Sequence, residues 1–189
     1  SRAEEALVIL MSSLATFAGL LNPIYRSHGI QNPSQNLNWK LTQKNVTCFK
    51  RLLNIATEEA DYLAPVWHIF VEQLSLVDLY KPKEFFTNDH EITDYIENFF
   101  NSSSKFQLNS VIALINAMIK VCNKELNEKP VRRLYMLEKL VMVAQYNMKR
   151  NNEEYSQIWE IIGNSYLAYI IAVADSKNDL QLSKKVIDY

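Results

Sequence analysis

Apolar residues recur at steps of three and four along nearly the whole chain, and this spacing places them on one face of an α-helix. The first such stripe is Leu7, Leu10, Leu14, Phe17 and Leu21. No segment sustains the alternation of apolar and polar residues that is typical of a half-buried strand. Glycine, which most tight turns need, occurs only 3 times in 189 residues. The sequence therefore predicts an all-α fold.

About eight helices are predicted. The second covers roughly 41–58 and the eighth begins near Asp179. Caps are expected from Asp61 for the third helix and from Asn151 or Asn152 for the seventh. The apolar stripe of the predicted third helix consists of Leu63, Trp67, Phe70, Leu74 and Val77. That of the sixth consists of Leu134, Leu137, Val141, Ala144 and Met148. That of the seventh consists of Tyr155, Ile158, Trp159, Ile162 and Tyr166.

Two stretches of the chain resemble each other internally. Each reads apolar–apolar–x–apolar–Ala, followed by a polar turn and a second helix with a tryptophan, and Leu52 and Leu140 are equivalent points 88 residues apart. One helical pair lies between them, so the period is about 44 residues, which is typical of HEAT and armadillo repeats. The sequence predicts one domain over residues 1–189, a HEAT/armadillo-like α-solenoid of antiparallel hairpins.

Composition excludes several functional classes. The 20 basic and 21 acidic residues give a net charge of −1, and nucleic-acid binding through the surface needs a basic excess. Cys48 and Cys122 are expected to be reduced and buried, and the three histidines lack ligand spacing, so neither a metal nor another cofactor is predicted. Ala6 to Leu21 is uncharged but short and carries hydroxyls, so it is interpreted as a packed helix of a cytosolic chain. No nucleotide-binding or hydrolase motif is present, and no catalytic residue is predicted.

Three segments resemble the large Sec-seven-type Golgi Arf guanine-nucleotide exchange factors. They are "QKNVTCFKRLLNIATEEADYLAPVWHIFVEQLSLVDLY" from Gln43, "DYIENFFNSSSKFQLNSVIALINAMIKVCNKEL" from Asp94, and "YMLEKLVMVAQYNMKRNNEEYSQIWEIIG" from Tyr135. The resemblance is collinear over about three quarters of the chain and includes the Tyr-Asn-Met-x-Arg turn. It points to the first homology-downstream domain, which follows the catalytic Sec-seven domain in that family.

The resemblance implies a non-catalytic regulatory module excised from a longer multidomain exchange factor. Such a module is expected to contribute to autoinhibition and to recruitment to Golgi or trans-Golgi membranes in vesicle traffic. The implied partners are a GTP-bound Arf-family small GTPase, anionic lipid and other domains of the same protein, with a cytoplasmic, peripheral membrane location. The alternative is a generic HEAT-type scaffold for protein–protein interaction.

Basic residues at the two ends of the sixth predicted helix are the candidates for a partner- or lipid-binding surface. Arg132 and Arg133 begin this helix, which opens at Pro130, and Lys149 and Arg150 end it. Cations at the end of a helix also complement its dipole, so a solvated surface is the other interpretation. On either interpretation, Lys149 and Arg150 are expected to be exposed and to matter little for folding.

Overall fold

The computed structural model describes residues 2–18, 42–80, 91–127 and 133–174. Within these ranges it contains seven α-helices, two short 3₁₀ turns and no strand, which confirms the all-α prediction. The eighth predicted helix lies outside the described residues. The helices are α1 (Arg2–Ala18), α2 (Gln43–Glu58), α3 (Trp67–Tyr80), α4 (Glu91–Ser102), α5 (Leu108–Asn127), α6 (Tyr135–Asn147) and α7 (Asn152–Ala174), and the 3₁₀ turns are Ala60–Tyr62 and Ser103–Lys105.

The helices pack in two rows. Helices α2, α4 and α6 contact one another in that order, and α1, α3, α5 and α7 do the same. Contacts between the rows join α1 to α2, α5 to α6, and α6 to α7. Most contacts thus join helices that are consecutive or next but one along the chain, an arrangement compatible with the predicted solenoid. The single domain over 1–189 stays a prediction.

One apolar core runs between the two rows. Leu52 and Leu140, the equivalent points of the repeat, both have an exposed fraction of 0%. The core includes an aromatic cluster of Trp67, Phe70, Phe99 and Phe106, in which the rings of Phe70 and Phe99 are 4.7 Å apart. Trp67 is fully buried, as its stripe predicts.

The stripe predicted for the first helix is correct only in part: Leu7 and Leu14 are half-buried and pack against the core, and Leu21 lies outside the described residues. Leu10 and Phe17 are 45% and 65% exposed, whereas Met11, Ala15 and Ala18 are buried. Helix α1 packs most closely on α2, and small alanine side chains allow two helices to approach each other. Leu10 and Phe17 therefore lie to the side of that contact.

The predicted burial of three further residues is corrected by the structure. Trp159 and Met148, assigned to buried stripes, are 55% and 60% exposed, because no helix among the described residues packs on that side of α6 and α7. Cys48 is only half-buried, whereas Cys122 is buried as expected.

The polar residues at helix ends explain where several elements begin. Asn151 caps α7 as predicted, because its Oδ1 accepts a hydrogen bond from the Glu154 N–H at 2.9 Å. Asp61 acts elsewhere than predicted: its Oδ1 accepts from the Gln107 N–H at 2.9 Å and so caps the start of α5. Asn45 joins the first two helices, since its Nδ2 donates to the Phe17 carbonyl at 2.7 Å.

Candidate functional site

The turn between α6 and α7 is built around Arg150. Its guanidinium donates to the backbone carbonyls of Ser103, at 3.2 Å, and of Phe106, and its Nε donates to Asn147 Oδ1 at 2.6 Å. It also pairs with Glu154 at 3.0 Å, and only 11% of the side chain is exposed. Arg150 therefore fixes the turn to the end of α4 and is not the exposed residue that the sequence suggested.

Asn147 completes this arrangement from inside the molecule. Its exposed fraction is 0%, and its Nδ2 donates to Ser103 Oγ at 3.0 Å and to the Val143 carbonyl at 2.8 Å. Each buried polar group of Asn147 and Arg150 thus has a partner, as buried polar groups require. The spacing of Arg150 and Glu154, four residues apart on a helix start, was the signal in the sequence for this role.

Arg133 is held in the same way at the start of α6. Its Nη1 donates to the Ser75 carbonyl at 2.9 Å and lies 3.6 Å from carboxylate oxygens of Asp78 and Glu125. Its side chain is 13% exposed, so Arg133 joins α3, α5 and α6 from within.

Glu125 is the buried carboxylate of this second cluster. It accepts hydrogen bonds from Ser75 Oγ at 2.6 Å and from the Met136 N–H at 2.9 Å, and 1% of it is exposed. Burial raises the pKa of its carboxyl above the ordinary value, and the two hydrogen bonds and Arg133 oppose that shift. Little in the sequence indicates this role, because Glu125 occupies a helix otherwise typical of the core.

Of the four candidate binding residues, the structure leaves Lys149 exposed. Arg132 lies outside the described residues, so the two ends of α6 do not form one described basic surface. Lys149 is next to Arg150 in the sequence. The hydrogen bonds of Arg150 hold the turn against the 3₁₀ segment Ser103–Lys105, in which Lys105 is exposed. Glu153 is exposed nearby, so the local charge is mixed. Binding by these residues stays a prediction.

A groove of about 250 Å³ lies between α6 and α7. Its floor includes Gly163, where an added Cβ would meet nothing within 4 Å. Met148 and Trp159 stand exposed along it, and the Trp159 ring stacks on Tyr155 at 6.3 Å. The α6 wall, defined as Val141, Ala144, Gln145 and Met148, faces the α7 wall, defined as Tyr155, Trp159, Ile162, Gly163 and Tyr166.

Two kinds of reactive group can be assessed in the described part of the chain, metal-ligand clusters and thiols. Among these residues, no three His, Cys, Asp or Glu side chains come together as metal ligands would. Cys122 is buried and desolvation raises the pKa of its thiol, so it is not poised as a nucleophile. None of the described helices combines the length and the apolar character needed to cross a membrane.

Comparison with known proteins shows similarity to large Arf exchange factors, while no family model matches the chain. The brefeldin A-inhibited guanine nucleotide-exchange protein 1 of Homo sapiens is 20% identical over 67% of this chain and 10% of its own length. The ADP-ribosylation factor guanine nucleotide-exchange factor SEC7 of Saccharomyces cerevisiae is 29% identical over 54% of this chain and 6% of its own length. The brefeldin A-inhibited guanine nucleotide-exchange protein 1 of Arabidopsis thaliana is 31% identical over 49% of this chain and 6% of its own length.

These relatives come from an animal, a fungus and a plant, and the resemblance first suggested by the sequence motifs is confirmed as weak similarity to this group. The chain spans a tenth or less of the length of these three relatives. It is therefore similar to one region of a large exchange factor.

Proposed function

We propose that this chain is a non-catalytic regulatory module of a large Arf guanine-nucleotide exchange factor. The observation that carries the proposal is its similarity to one region of relatives named for nucleotide exchange, combined with a helical array that presents surfaces and no reactive cluster among its described residues. Such a region contributes binding energy to a larger enzyme, and exchange itself belongs to another domain.

The proposed mechanism is recruitment of the parent protein to a Golgi or trans-Golgi membrane from the cytoplasm. GTP-bound Arf, anionic lipid or both would bind the module when the parent protein is in its active state. Contacts with other domains of the same protein would hold it inactive. A ligand shifts such an equilibrium only through a difference in affinity between the two states. The module therefore needs a partner surface that the inactive state covers.

Lys149, together with Arg132, is the proposed contact with an acidic partner. Because Arg150 fixes the backbone of the turn, the neighbouring Lys149 is held at the surface with little freedom of the main chain. A basic residue near an anionic membrane contributes about 1 kcal/mol to binding. Salt screens this contribution, so binding should weaken as the ionic strength rises.

The experiment is a binding assay with the 189-residue chain. Arf is presented in its GTP-bound and GDP-bound states, with vesicles of phosphatidylcholine alone or mixed with phosphatidylserine. We expect binding to GTP-bound Arf, to the anionic vesicles, or to both, and Lys149→Glu should weaken it about fivefold or more at low salt. The matched control is Lys120→Glu, which reverses an exposed lysine on α5.

Two results would count against the proposal. Faster GDP release from Arf in the presence of the purified chain would show that it is catalytic. Equal, weak binding to both nucleotide states and to both kinds of vesicle would favour the alternative function, a generic HEAT-type scaffold.

A further inference from the structure

The tryptophans of the two similar hairpins lie in opposite environments. Trp67 is 1% exposed, whereas Trp159 is 55% exposed. Phe99 and Phe106, which follow the first hairpin along the chain, cover Trp67, and their ring centroids lie 5.8 Å and 6.5 Å from it. The ring beside Trp159 is that of Tyr155, on its own helix. In the described part of the chain, the second hairpin therefore exposes a surface that the first hairpin buries.

The exposed side of α7 forms an apolar ridge. The α7 ridge is defined as Tyr155, Trp159, Gly163, Leu167 and Ile171, which follow one another at intervals of four residues, the spacing of a packing ridge on a helix. Trp159, Leu167 and Ile171 are each more than half exposed. Gly163 leaves a gap in the ridge, since an added Cβ there would meet nothing within 4 Å. A large side chain from another helix can fill this gap, as a knob fills a hole.

The α7 ridge borders the groove whose other side is the α6 wall. Met148 on that wall is 60% exposed, so both sides of the groove present apolar side chains. Exposed apolar surface of this kind marks an interaction site. A groove between two helices accepts the apolar face of a third helix, whose large side chains lie three or four residues apart.

The charges of α7 indicate which kind of helix fits the groove. Asn152–Ala174 contains three glutamates and neither lysine nor arginine. Glu154 pairs with Arg150, whereas Glu153 and Glu160 are exposed. Glu160 precedes Leu167 by about two helical turns and so lies on the same side of α7 as the ridge. A helix with lysine or arginine along its flank complements this acidic edge.

The first hairpin shows the same complementarity within the molecule. Its second helix, α3, carries Glu72, and α5 packs on α3. Lys124 of α5 forms an ion pair with Glu72. The helix that packs on the first tryptophan hairpin thus also supplies a cation to its carboxylate.

The charges disfavour two other occupants of the groove. Helices that lie on anionic membranes are rich in lysine and arginine, whereas α7 is acidic. A second copy of the chain could offer the exposed Leu10 and Phe17 of α1. That helix carries Glu4 and Glu5 against one arginine, so it would bring like charge to α7.

We propose that the α7 ridge and the α6 wall bind an amphipathic helix of another protein, with large apolar residues on one face and lysine or arginine along the adjoining flank. The apolar residues contact Trp159, Leu167 and Met148, and one of them fills the gap at Gly163. A basic residue pairs with Glu160. This inference holds whether or not the chain regulates an Arf exchange factor.

The test measures binding of a fluorescent synthetic helix to the 189-residue chain by anisotropy. The probe has leucine on one face and lysine on the other. A second peptide has the same leucine positions and glutamate in place of lysine, and a third has the leucine and lysine residues of the probe in scrambled order. We expect the probe to bind at least about tenfold more tightly than either control peptide, a difference of ~1.4 kcal/mol.

Gly163→Leu separates binding from folding. The added side chain closes the gap in the α7 ridge and should weaken probe binding about tenfold or more. The melting temperature should stay the same or rise, because glycine in a helix interior is less favourable than leucine and the space is open. The matched control is Ala168→Leu, which adds the same side chain at an exposed position on the opposite side of α7 from Trp159 and should leave binding unchanged.

Glu160→Lys tests the charge of the partner. It should weaken binding of the lysine probe about fivefold at low salt and strengthen binding of the glutamate peptide. Glu97→Lys, which reverses an exposed glutamate on α4, is the matched control and should change neither.

Four outcomes would overturn the proposal. Unchanged or absent probe binding by both the parent chain and Gly163→Leu would show that the ridge is not the site. Equal binding of the lysine and glutamate peptides would show that charge does not select the partner. Self-association of the chain that excludes the probe and is lost in Gly163→Leu would assign the groove to a second copy. Binding to phosphatidylserine vesicles that is lost in Gly163→Leu would assign it to a membrane.

Discussion

At the scale of single residues, Arg150 and Lys149 are neighbours in the sequence with opposite environments. Replacing Arg150 by Ala removes its hydrogen bonds to the carbonyls of Ser103 and Phe106 and takes away the Nε donor of Asn147 Oδ1. Because buried polar groups that lose their partners are costly, we expect the free energy of unfolding to fall by about 2–4 kcal/mol. Urea denaturation measures this change.

Lys149→Ala is the matched control for that experiment. Its side chain is exposed, and such substitutions usually change stability by no more than about 0.5 kcal/mol. Similar, small losses for both variants would contradict the structural role of Arg150. The number of charged residues in the turn does not predict that Lys149 is exposed and Arg150 is largely buried. The reason is that Arg150 donates to main-chain carbonyls of a segment more than forty residues earlier.

The buried carboxyl of Glu125 makes stability depend on pH. Burial raises its folded-state pKa above the ordinary value of 4.5, so the folded protein retains the proton to higher pH than the unfolded chain. Stability falls with rising pH wherever the folded state binds more protons. Relative to Glu125→Gln, which does not titrate, the wild type should lose stability as the pH rises from about 4.5 through the folded pKa.

Denaturation of both proteins between about pH 4 and 8 checks this expectation. A stability difference that stays constant or grows with pH would show that Ser75, Met136 and Arg133 stabilise the charged carboxylate more than burial destabilises it.

At the scale of helices, the two tryptophan hairpins are expected to differ in their energetic importance. Trp67 packs against Phe70, Phe99 and Phe106, and its indole N–H has no hydrogen-bond partner in the described ranges, so ring packing accounts for its contribution. Trp67→Ala should cost about 3–5 kcal/mol. Trp159→Ala should cost about 1 kcal/mol or less, because more than half of that side chain is already exposed.

Thermal unfolding followed by circular dichroism compares these two variants. Since small domains have a total stability of about 5–15 kcal/mol, Trp67→Ala should lower the melting temperature strongly. A larger effect from Trp159→Ala would mean that the α7 wall is covered in solution.

The helices themselves could be predicted from apolar spacing, but their buried faces could be predicted only in part. For Trp67 the spacing and the burial agree, because neighbours pack on both sides of α3. For Trp159 the same spacing wrongly predicts burial, because an apolar stripe shows which side of a helix is apolar but not whether another helix packs on that side. In α1 the rotation toward Met11 and Ala18 depends on how closely α2 approaches, which the sequence of α1 does not contain.

At the scale of the whole molecule, the fold is expected to depend on neither metal nor disulfide. Cys122 is buried and Cys48 is half-buried, both as free thiols, and the described core is apolar. A chelator and a reductant, added separately, should leave the helical circular dichroism and the melting temperature unchanged. A lower melting temperature with chelator would indicate a bound metal, and a lower one with reductant would indicate a disulfide.

The arrangement of helices in two rows is compatible with the solenoid predicted from the repeat, which pairs Leu52 with Leu140, and both residues are buried. The exposure of the candidate binding residues could not be predicted from the sequence. Whether Arg133 and Arg150 face solvent depends on where Glu125 and the Ser103 carbonyl lie in space, and these groups belong to other repeats.

The two buried arginines have a consequence for how the array unfolds. Helical repeats that contact each other only through apolar faces can unfold one hairpin at a time. Their stability is close to the sum of the stabilities of the repeats and of the interfaces between neighbouring repeats. Here Arg150 bonds to the segment after α4, and Arg133 joins α3 and α5 to α6. Separating α6 from α4 or α5 would therefore leave Arg150 or Glu125 without its partners. Slow amide hydrogen exchange in α3 to α6 should therefore report a single shared opening free energy, the sign of one cooperative unit.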